Sequence, residues 1–361
     1  MQRRFYPVLQ ALIAALLFGA SAPLAKLLLG EVQPISLAAL LYLGSGTGAF
    51  IMLLVQRSQN GGKSIEAHLV SSDLPWLLGA TLAGGVAAPI ILLLGLKHTP
   101  ASTASLLLNF ESVATTIIAV YFFKEHIDRR LTWAVVLMTI SSILLSWTKG
   151  QWGLSLGALG ILGACILWGL DNNFTRHISA KNPLIIVGVK GLGAGSFSLA
   201  LSFILGQSLP AIKVIVLAML LGSISYGISI QLFIMAMRYL GAARSSTLFG
   251  AAPFMGVVFS LLLLREAPQL LFWVALPIMI AGTWMMLAEN HDHHHIHESI
   301  EHAHAHSHPD EHHEHICPAD VPLINRTHSH SHFHQPLKHI HPHAPDLHHR
   351  HEHVNQEAIS A

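Results

Sequence analysis

The chain alternates between long apolar runs and short polar joints up to about Leu287, and from Glu289 onward it is polar and crowded with histidine. Apolar runs of about 17–25 residues are long enough to cross a bilayer as helices. The pattern therefore predicts an all-α integral membrane protein with ten transmembrane helices, called spans 1 to 10 below. Their predicted ranges are 7–28, 34–55, 74–96, 101–123, 131–147, 155–175, 183–206, 214–236, 242–264 and 270–288.

The composition also indicates that most of the chain lies in a lipid bilayer. The chain is 52% hydrophobic and only 11% charged, whereas soluble domains carry about 25% charged residues. The first run also has the features of a secretory signal, since "MQRRF" is followed by an apolar stretch and the small residues "ASA" at 20–22. That run continues to Leu29 and has a counterpart later in the chain, which favours a retained first span.

Basic residues in the joints predict the orientation in the inner, or cell, membrane. With the amino terminus in the cytoplasm, eleven Lys and Arg residues lie on the cytoplasmic side and five on the other, as the positive-inside rule requires. Both termini are then cytoplasmic, and the two cysteines are not expected to form a disulfide there. The inner set is Arg3, Arg4, Arg57, Lys63, Lys124, Arg129, Arg130, Arg176, Lys181, Arg238 and Arg244, and the outer set is Lys26, Lys97, Lys149, Lys213 and Arg265.

The two halves of the apolar region repeat each other. "FGASAPLAK" at 18–26 matches "WGLDNNFTR" at 168–176, and "PISLAALLYLGSG" matches "PLIIVGVKGLGAG". A third pair of segments ends on "KE" at 124–125 and "RE" at 265–266. Five spans is an odd number, so the halves enter the membrane from opposite sides, which is typical of secondary transporters. We therefore divide the chain into repeats at 1–150 and 151–289 and a tail at 290–361.

These residues resemble the EamA-type members of the drug/metabolite transporter superfamily. The resemblance rests on the aromatic-Gly opening of spans 1 and 6, the "KE" and "RE" endings of spans 4 and 9, and "GAARSSTLFGAAPFMGVVFSLLLLRE". It covers about residues 1–288. It implies export or import of small metabolites or toxic compounds through a central cavity between the repeats, and it carries no universal catalytic motif.

Glu111 is the least expected residue of the spans. It lies about ten residues into span 4, roughly 15 Å deep at a rise of ~1.5 Å per residue, where a charge is costly. Its counterpart in the second repeat is Ala252. Burial disfavours the charged form of a carboxyl, so we hypothesise that Glu111 takes up protons or binds a cationic substrate group. The alternative is an inert pair with Lys190.

Two further charges are predicted at similar depth on neighbouring spans. Asp171 lies near the inner end of span 6 and Lys190 about seven residues into span 7. We expect these two to pair, with Asn172 and Asn173 as hydrogen-bond partners, although Lys190 is also a candidate for binding a substrate anion. The candidate substrate or coupling residues are Glu111, Lys190, Asp171, Asn172, Asn109, Tyr226 and Gln231.

Glycine spacing and span ends suggest structural roles. The glycines of spans 2 and 7 follow the small-xxx-small pattern that lets helix backbones approach closely, which predicts packing of Gly44, Gly46 and Gly48 and of Gly191, Gly193 and Gly195. Pro89 and Pro253 interrupt spans 3 and 9. Glu125 and Glu266 end spans 4 and 9 beside basic residues, where boundary anchoring is expected.

The tail holds 23 of the 27 histidines, alternating with other residues. Its composition predicts disorder without a ligand. Histidine-rich tracts favour metal binding, and imidazole with interleaved carboxylates suits Zn, Ni, Co or Cu. The alternative is a proton-buffering tail. The candidate metal ligands are His291, His293, His294, His295, His297, His302, His304, His306, His308, His328, His330, His332 and His334.

Three functions follow from these patterns. The favoured one is a secondary active transporter of a small solute, with partners limited to solute, lipid and tail-bound metal, as a monomer or homodimer. The second is a divalent metal (Ni, Co or Zn) transporter whose tail collects or senses the ion. The small number of metal-ligating side chains in the spans argues against this function. The third is a membrane-anchored metal sensor. No required cofactor, enzyme motif or nucleic-acid-binding surface is indicated.

Overall fold

The computed structural model describes residues 2–59, 69–123, 129–147, 155–178, 181–240 and 248–287, and four short segments of the tail. The first repeat consists of Gln2–Gly19 and Ser21–Leu28 in span 1, Pro34–Gln59 in span 2, Leu74–Ala80, Thr81–Ala87 and Ala88–His98 in span 3, Ala101–Leu107 and Phe110–Phe123 in span 4, and Arg129–Ser146 in span 5. A 3-10 turn at Ser71–Asp73 precedes span 3. The second repeat consists of Leu156–His177 in span 6, Pro183–Ile204 in span 7, Ile212–Gly222, Ser223–Ile228 and Ser229–Leu240 in span 8, Ala252–Leu263 in span 9 and Leu270–Leu287 in span 10.

The predicted spans are present as helices. Seven helical stretches of the described chain are long and apolar enough to cross a membrane, and spans 9 and 10 contribute shorter apolar helices. Span 6 is a helix of 22 residues whose last third is polar. The fold is therefore the predicted one, ten transmembrane helices in two inverted five-helix repeats. We call the side where span 1 begins the amino-terminal face and the other side the far face.

Large apolar side chains cover the outside of the helix bundle. Such a surface is unfavourable in water and is what a lipid-facing belt requires. Among the exposed side chains are Ile204, Leu262, Trp133, Trp284 and Ile117. The core between the helices is built mostly from alanine, leucine and small polar residues, which allows close helix packing without a large apolar volume.

Spans 2 and 7 pack backbone to backbone through glycines, as predicted, since a Cβ on Gly191 would lie 2.5 Å from the Gly46 nitrogen. Gly44 packs against span 8 instead, where its Cβ would lie 2.1 Å from the Met219 carbonyl oxygen. Gly193 differs, because its Cβ would meet only the Thr81 methyl at 3.8 Å.

Alanine at these two glycines is expected to have opposite effects. Gly191→Ala should destabilise the protein by about 1–3 kcal/mol, because spans 2 and 7 must separate to admit the methyl group. Gly193→Ala should be neutral or slightly stabilising, since alanine favours a helix by up to about 1 kcal/mol over glycine. Thermal unfolding of the purified protein in detergent measures both, and equal midpoints for the two variants would contradict the packing.

Four tail segments form two antiparallel ladders. Strand β1, His294–Ile296, pairs with β4, Lys338–Ile340, and β2, Ile300–Ser307, pairs with β3, Thr327–His334. The register sets His302, His304 and His306 opposite His332, His330 and His328. Composition did not predict these strands, although alternation with period two suits a strand. Disorder stays a prediction for the other tail residues, which lie outside the described ones.

Candidate functional site

The predicted ion pair between spans 6 and 7 is confirmed. Lys190 Nζ donates to Asp171 Oδ1 at 2.5 Å and to Oδ2 at 2.7 Å. The Thr175 hydroxyl, one helical turn from Asp171, donates to the same Oδ1 at 2.9 Å. The two charged side chains are only 16% and 10% exposed. The alternative pairing of Lys190 with Glu111 is not observed.

A π-helical turn in span 3 leaves one backbone carbonyl beside this ion pair without a partner in its own helix. In Thr81–Ala87 the Ala88 N–H bonds to the Ala83 carbonyl, five residues back. Pro89 has no N–H to offer, so the Gly84 carbonyl is left without a helical partner. Two side chains satisfy it instead, the Tyr42 hydroxyl at 2.7 Å and the Trp168 indole N–H at 3.0 Å. Tyr42 belongs to the first repeat and Trp168 to the second.

Glycine is required at position 84 for a second reason. A Cβ there would lie 1.9 Å from Asp171 Oδ2, so the carboxylate rests directly against the backbone of span 3. Gly84 thus contacts both the Asp171 carboxylate and the two aromatic donors, Tyr42 and Trp168.

Glu111 has a neutral partner. Asn172 Nδ2 donates to Glu111 Oε1 at 2.8 Å and to the Thr115 hydroxyl at 3.1 Å. The expectation that Asn172 and Asn173 serve the ion pair was wrong. Successive residues of a helix point about 100° apart, so Asn172 faces span 4 while Asp171 faces spans 3 and 7. Asn173 Nδ2 donates to the Gly169 and Thr115 carbonyls.

The Glu111 side chain does not face the lipid. Ile117 and Tyr121, exposed on the same helix, mark the lipid side of span 4. Glu111 precedes Ile117 by six residues and therefore lies about 120° round the helix from it. Its carboxyl is half-buried and within electrostatic range of Asp171 and Lys190.

Aromatic rings line the same region. Tyr42 and Tyr226 stack with ring centroids 6.1 Å apart, and Phe18 meets Tyr226 edge to face at 5.7 Å. Tyr226, a predicted site residue, is therefore close to the Gly84 carbonyl and its donors. Tyr42 and Trp168 were not predicted. Trp168 was nevertheless visible as the counterpart of Phe18 in the aromatic-Gly repeat motif.

Two predicted residues lie elsewhere. Asn109 is buried, donates to the Leu106 carbonyl at 3.2 Å, and accepts from the Thr283 hydroxyl of span 10 at 3.5 Å. Its side chain therefore bonds the backbone at the break in span 4 and links the break to span 10. Gln231 is half-buried in span 8, five residues beyond Tyr226.

The helix interruptions occur in pairs. Spans 3 and 8 each contain a π-helical turn, Thr81–Ala87 and Ser223–Ile228. Spans 4 and 9 each break, at 108–109 and 250–251, before a helix that starts at Phe110 or Ala252. The pairs occupy corresponding places of the two repeats. Glu111 lies in the first turn after one break, and Gly84 and Tyr226 lie within the two π-helical turns.

No group of three or more metal-ligating side chains occurs among the residues whose side chains the structure describes. Of the predicted tail ligands, the histidines on β1, β2 and β3 are described by their backbone course alone. The other four, His291, His293, His297 and His308, lie outside the described residues.

Inverted repeats whose helices are interrupted at corresponding places define the class of this protein as a multi-pass membrane transporter fold. A family model for the EamA-like transporter family matches residues 5–147 and again 155–288, one match for each half. The chain belongs to this family, as the sequence resemblance indicated.

Known proteins similar to the chain include other transporters. An uncharacterized transporter of Methanothermobacter thermautotrophicus is 27% identical over 300 residues, which cover 79% of this chain and 87% of that protein. A probable 4-amino-4-deoxy-L-arabinose-phosphoundecaprenol flippase subunit ArnE of Pectobacterium atrosepticum is 36% identical over 70 residues, 19% of this chain and 61% of that one. A solved crystal structure shares the fold with a TM-score of 0.57 at 19% identity, covering 78% of this chain and 96% of the other.

Proposed function

We propose that the protein is a secondary active transporter that moves a small metabolite or toxic solute across the cell membrane by alternating access. Glu111 is its coupling group and exchanges a proton, and the amino-terminal face is cytoplasmic. The ion pair of Asp171 and Lys190, with Tyr42 and Tyr226, forms the rest of the solute site. The transporters among the similar proteins support this class of function.

The paired interruptions carry the proposal. Interrupted helices free backbone groups at mid-membrane depth, and such groups are tolerated only where they are buried in protein or line a cavity. In the described residues the interruptions adjoin the Gly84 carbonyl, the ion pair and Glu111 together. Interrupted helices beside the charged and polar side chains of a solute site are typical of secondary transporters.

The chemistry of Glu111 supports its coupling role. Its side chain accepts a hydrogen bond from a neutral amide, so protonation breaks no ion pair there. The nearby Lys190 is already bound to Asp171. A carboxyl in these surroundings can gain and lose a proton while the remaining site keeps its geometry.

The full chain in liposomes with an imposed pH gradient tests the proposal. A panel of amino acids, organic amines, sugar phosphates and nucleosides is added singly, and a pH-sensitive dye in the lumen reports coupled proton movement. At least one compound should dissipate the gradient faster than in protein-free liposomes. Solute flux that is identical with and without a pH gradient would refute proton coupling. The absence of flux for every compound would contradict the transport function.

Chelation of divalent metal is proposed as the role of the tail, separate from transport. The register of β2 and β3 sets three pairs of histidine positions opposite each other, and opposed positions of an antiparallel pair lie about 4.5–5.5 Å apart at Cβ. Two neighbouring imidazoles are the minimum for a chelate with Zn, Ni, Co or Cu.

Deletion of 290–361 is expected to separate the two roles. Solute flux in the liposome assay should stay within about twofold of the full chain, because the ten spans hold the site, whereas Zn and Ni binding by calorimetry should fall to background. Loss of metal uptake at low concentration, with solute flux absent throughout, would instead favour a metal transporter. Unchanged metal binding after the deletion would refute metal chelation by the tail.

A further inference from the structure

The loop that joins spans 3 and 4 at the far face is held by charges at both ends. Lys26, at the end of span 1, donates from Nζ to the Thr99 carbonyl at 2.8 Å, to the Lys97 carbonyl at 3.1 Å and to the Leu96 carbonyl. The last carbonyls of a helix have no intrahelical partner and carry a partial negative charge. The ammonium therefore holds the end of span 3.

Glu266 holds the start of span 4 in the complementary way. Its Oε1 accepts from the Ala101 N–H at 2.6 Å, and its Oε2 accepts from the N–H of Ser102 at 2.8 Å and from the Ser102 hydroxyl at 2.6 Å. Both carboxylate oxygens are used on helix N–H groups that otherwise lack partners. Glu266 follows span 9, so this contact joins the second repeat to the first.

The backbone before Glu266 is unusual. Arg265 has a φ of +51°, a left-handed conformation that is unfavourable for a long side chain. It turns the chain back as span 9 ends, and Glu266 thereby reaches the first turn of span 4. Strained backbone of this kind persists only where surrounding contacts hold it.

Among the described residues, spans 4 and 9 pack mainly at the far face. Ala101–Leu107 packs on Ala252–Leu263, while Phe110–Phe123, beyond the break, packs on span 6. The far halves are tightly closed, because a Cβ on Gly256 would lie 2.6 Å from the Ser105 hydroxyl oxygen. On the amino-terminal side of this closure Glu111 is half-buried and its partner Asn172 is exposed.

We infer that Glu266, supported by Lys26, is the far-face gate of the transporter. Its three hydrogen bonds keep spans 4 and 9 together in the present conformation, and they must break before solute can pass between the site and the far face. A cavity of about 390 Å³, with Lys26, Ser102 and Glu266 in its wall, lies on the far face at this contact. The inference rests on the proposed function, because a gate has a purpose only if access alternates.

The test needs no knowledge of the cargo. In the full chain with Cys165→Ala and Cys317→Ala, Ser105→Cys places a thiol in the closed interface between spans 4 and 9, where Ser105 is 1% exposed. The protein is placed in nanodiscs, and the rate of reaction with a charged maleimide is measured. Glu266→Gln should raise this rate by about tenfold or more, since charge-assisted hydrogen bonds are lost. Glu31→Gln, at an exposed far-face glutamate, should leave it unchanged.

Ser102→Ala is the milder second variant, because it removes one of the three hydrogen bonds and leaves the charge. It should raise the labelling rate less than Glu266→Gln does. Thermal unfolding of each variant separates gate opening from misfolding, since an opened gate keeps a cooperative transition. Equal labelling rates in folded Glu266→Gln, Ser102→Ala and their parent would overturn the gate. Faster labelling with no solute flux for any compound of the panel would show that Glu266 keeps spans 4 and 9 together, but it would contradict the proposed transport and with it the gating role of that contact.

Discussion

Glu111→Gln is expected to abolish proton-coupled solute flux in liposomes. Glutamine keeps the shape of the side chain and can still accept the hydrogen bond from Asn172 Nδ2, but it cannot gain or lose a proton. Uptake driven by a pH gradient should fall to the level of protein-free liposomes. Any remaining downhill flux should not vary with pH, because the side chain at position 111 no longer exchanges a proton.

Two comparisons make this expectation specific to position 111. Glu31→Gln removes an exposed carboxyl at the far face and should preserve the full pH profile. Asn172→Ala removes the partner of Glu111 but leaves the carboxyl, so coupling should persist with a shifted pH optimum. If Glu111→Gln kept the pH profile of the parent while folding normally, the coupling role would be refuted.

Lys190→Met should be the most destabilising single change in the site. It leaves the Asp171 carboxylate, only 10% exposed, without the ammonium that contacts both its oxygens. Removing one partner of a buried ion pair typically costs about 3–5 kcal/mol. Thermal unfolding in detergent should show a lowered midpoint, and solute flux should fall in parallel.

The double variant Asp171→Asn with Lys190→Met should recover much of that loss, because no uncompensated charge remains. Lys213→Met, at an exposed lysine of the far face, serves as the control and should unfold at the parent's midpoint. A Lys190→Met protein that is as stable as Lys213→Met would show that Asp171 does not depend on its partner.

The spans and the ion pair were predictable because each depends on patterns along the chain. The position of a residue within a hydrophobic run indicates its depth in the membrane. The similar depths of Asp171 and Lys190 on neighbouring antiparallel helices suggested that these two residues meet. The repeat further indicated which helices correspond, and it marked Glu111 as the position where the halves differ.

The finer contacts depend on rotations that the chain does not reveal. Whether Asn172 serves Asp171 or Glu111 depends on how span 6 is turned relative to span 4, a matter of tens of degrees. The π-helical turn in span 3 depends on a single shift of hydrogen-bond partner at Ala88. Glu266 was expected only to anchor a span end. Its hydrogen bonds to Ala101 and Ser102 join residues 164 or more apart in the chain.

The break at 108–109 gives span 4 a mechanical property that an unbroken helix lacks. A continuous helix is a stiff rod, so tilting one end swings the other in the opposite direction. Span 4 instead consists of two short helices joined by a tighter turn, where the Asn109 N–H and side-chain amide both bond the Leu106 carbonyl. A change of angle at this joint would let one end lean outward while the other stays packed against its neighbour, so that the bilayer would not have to accommodate a movement at both surfaces at once.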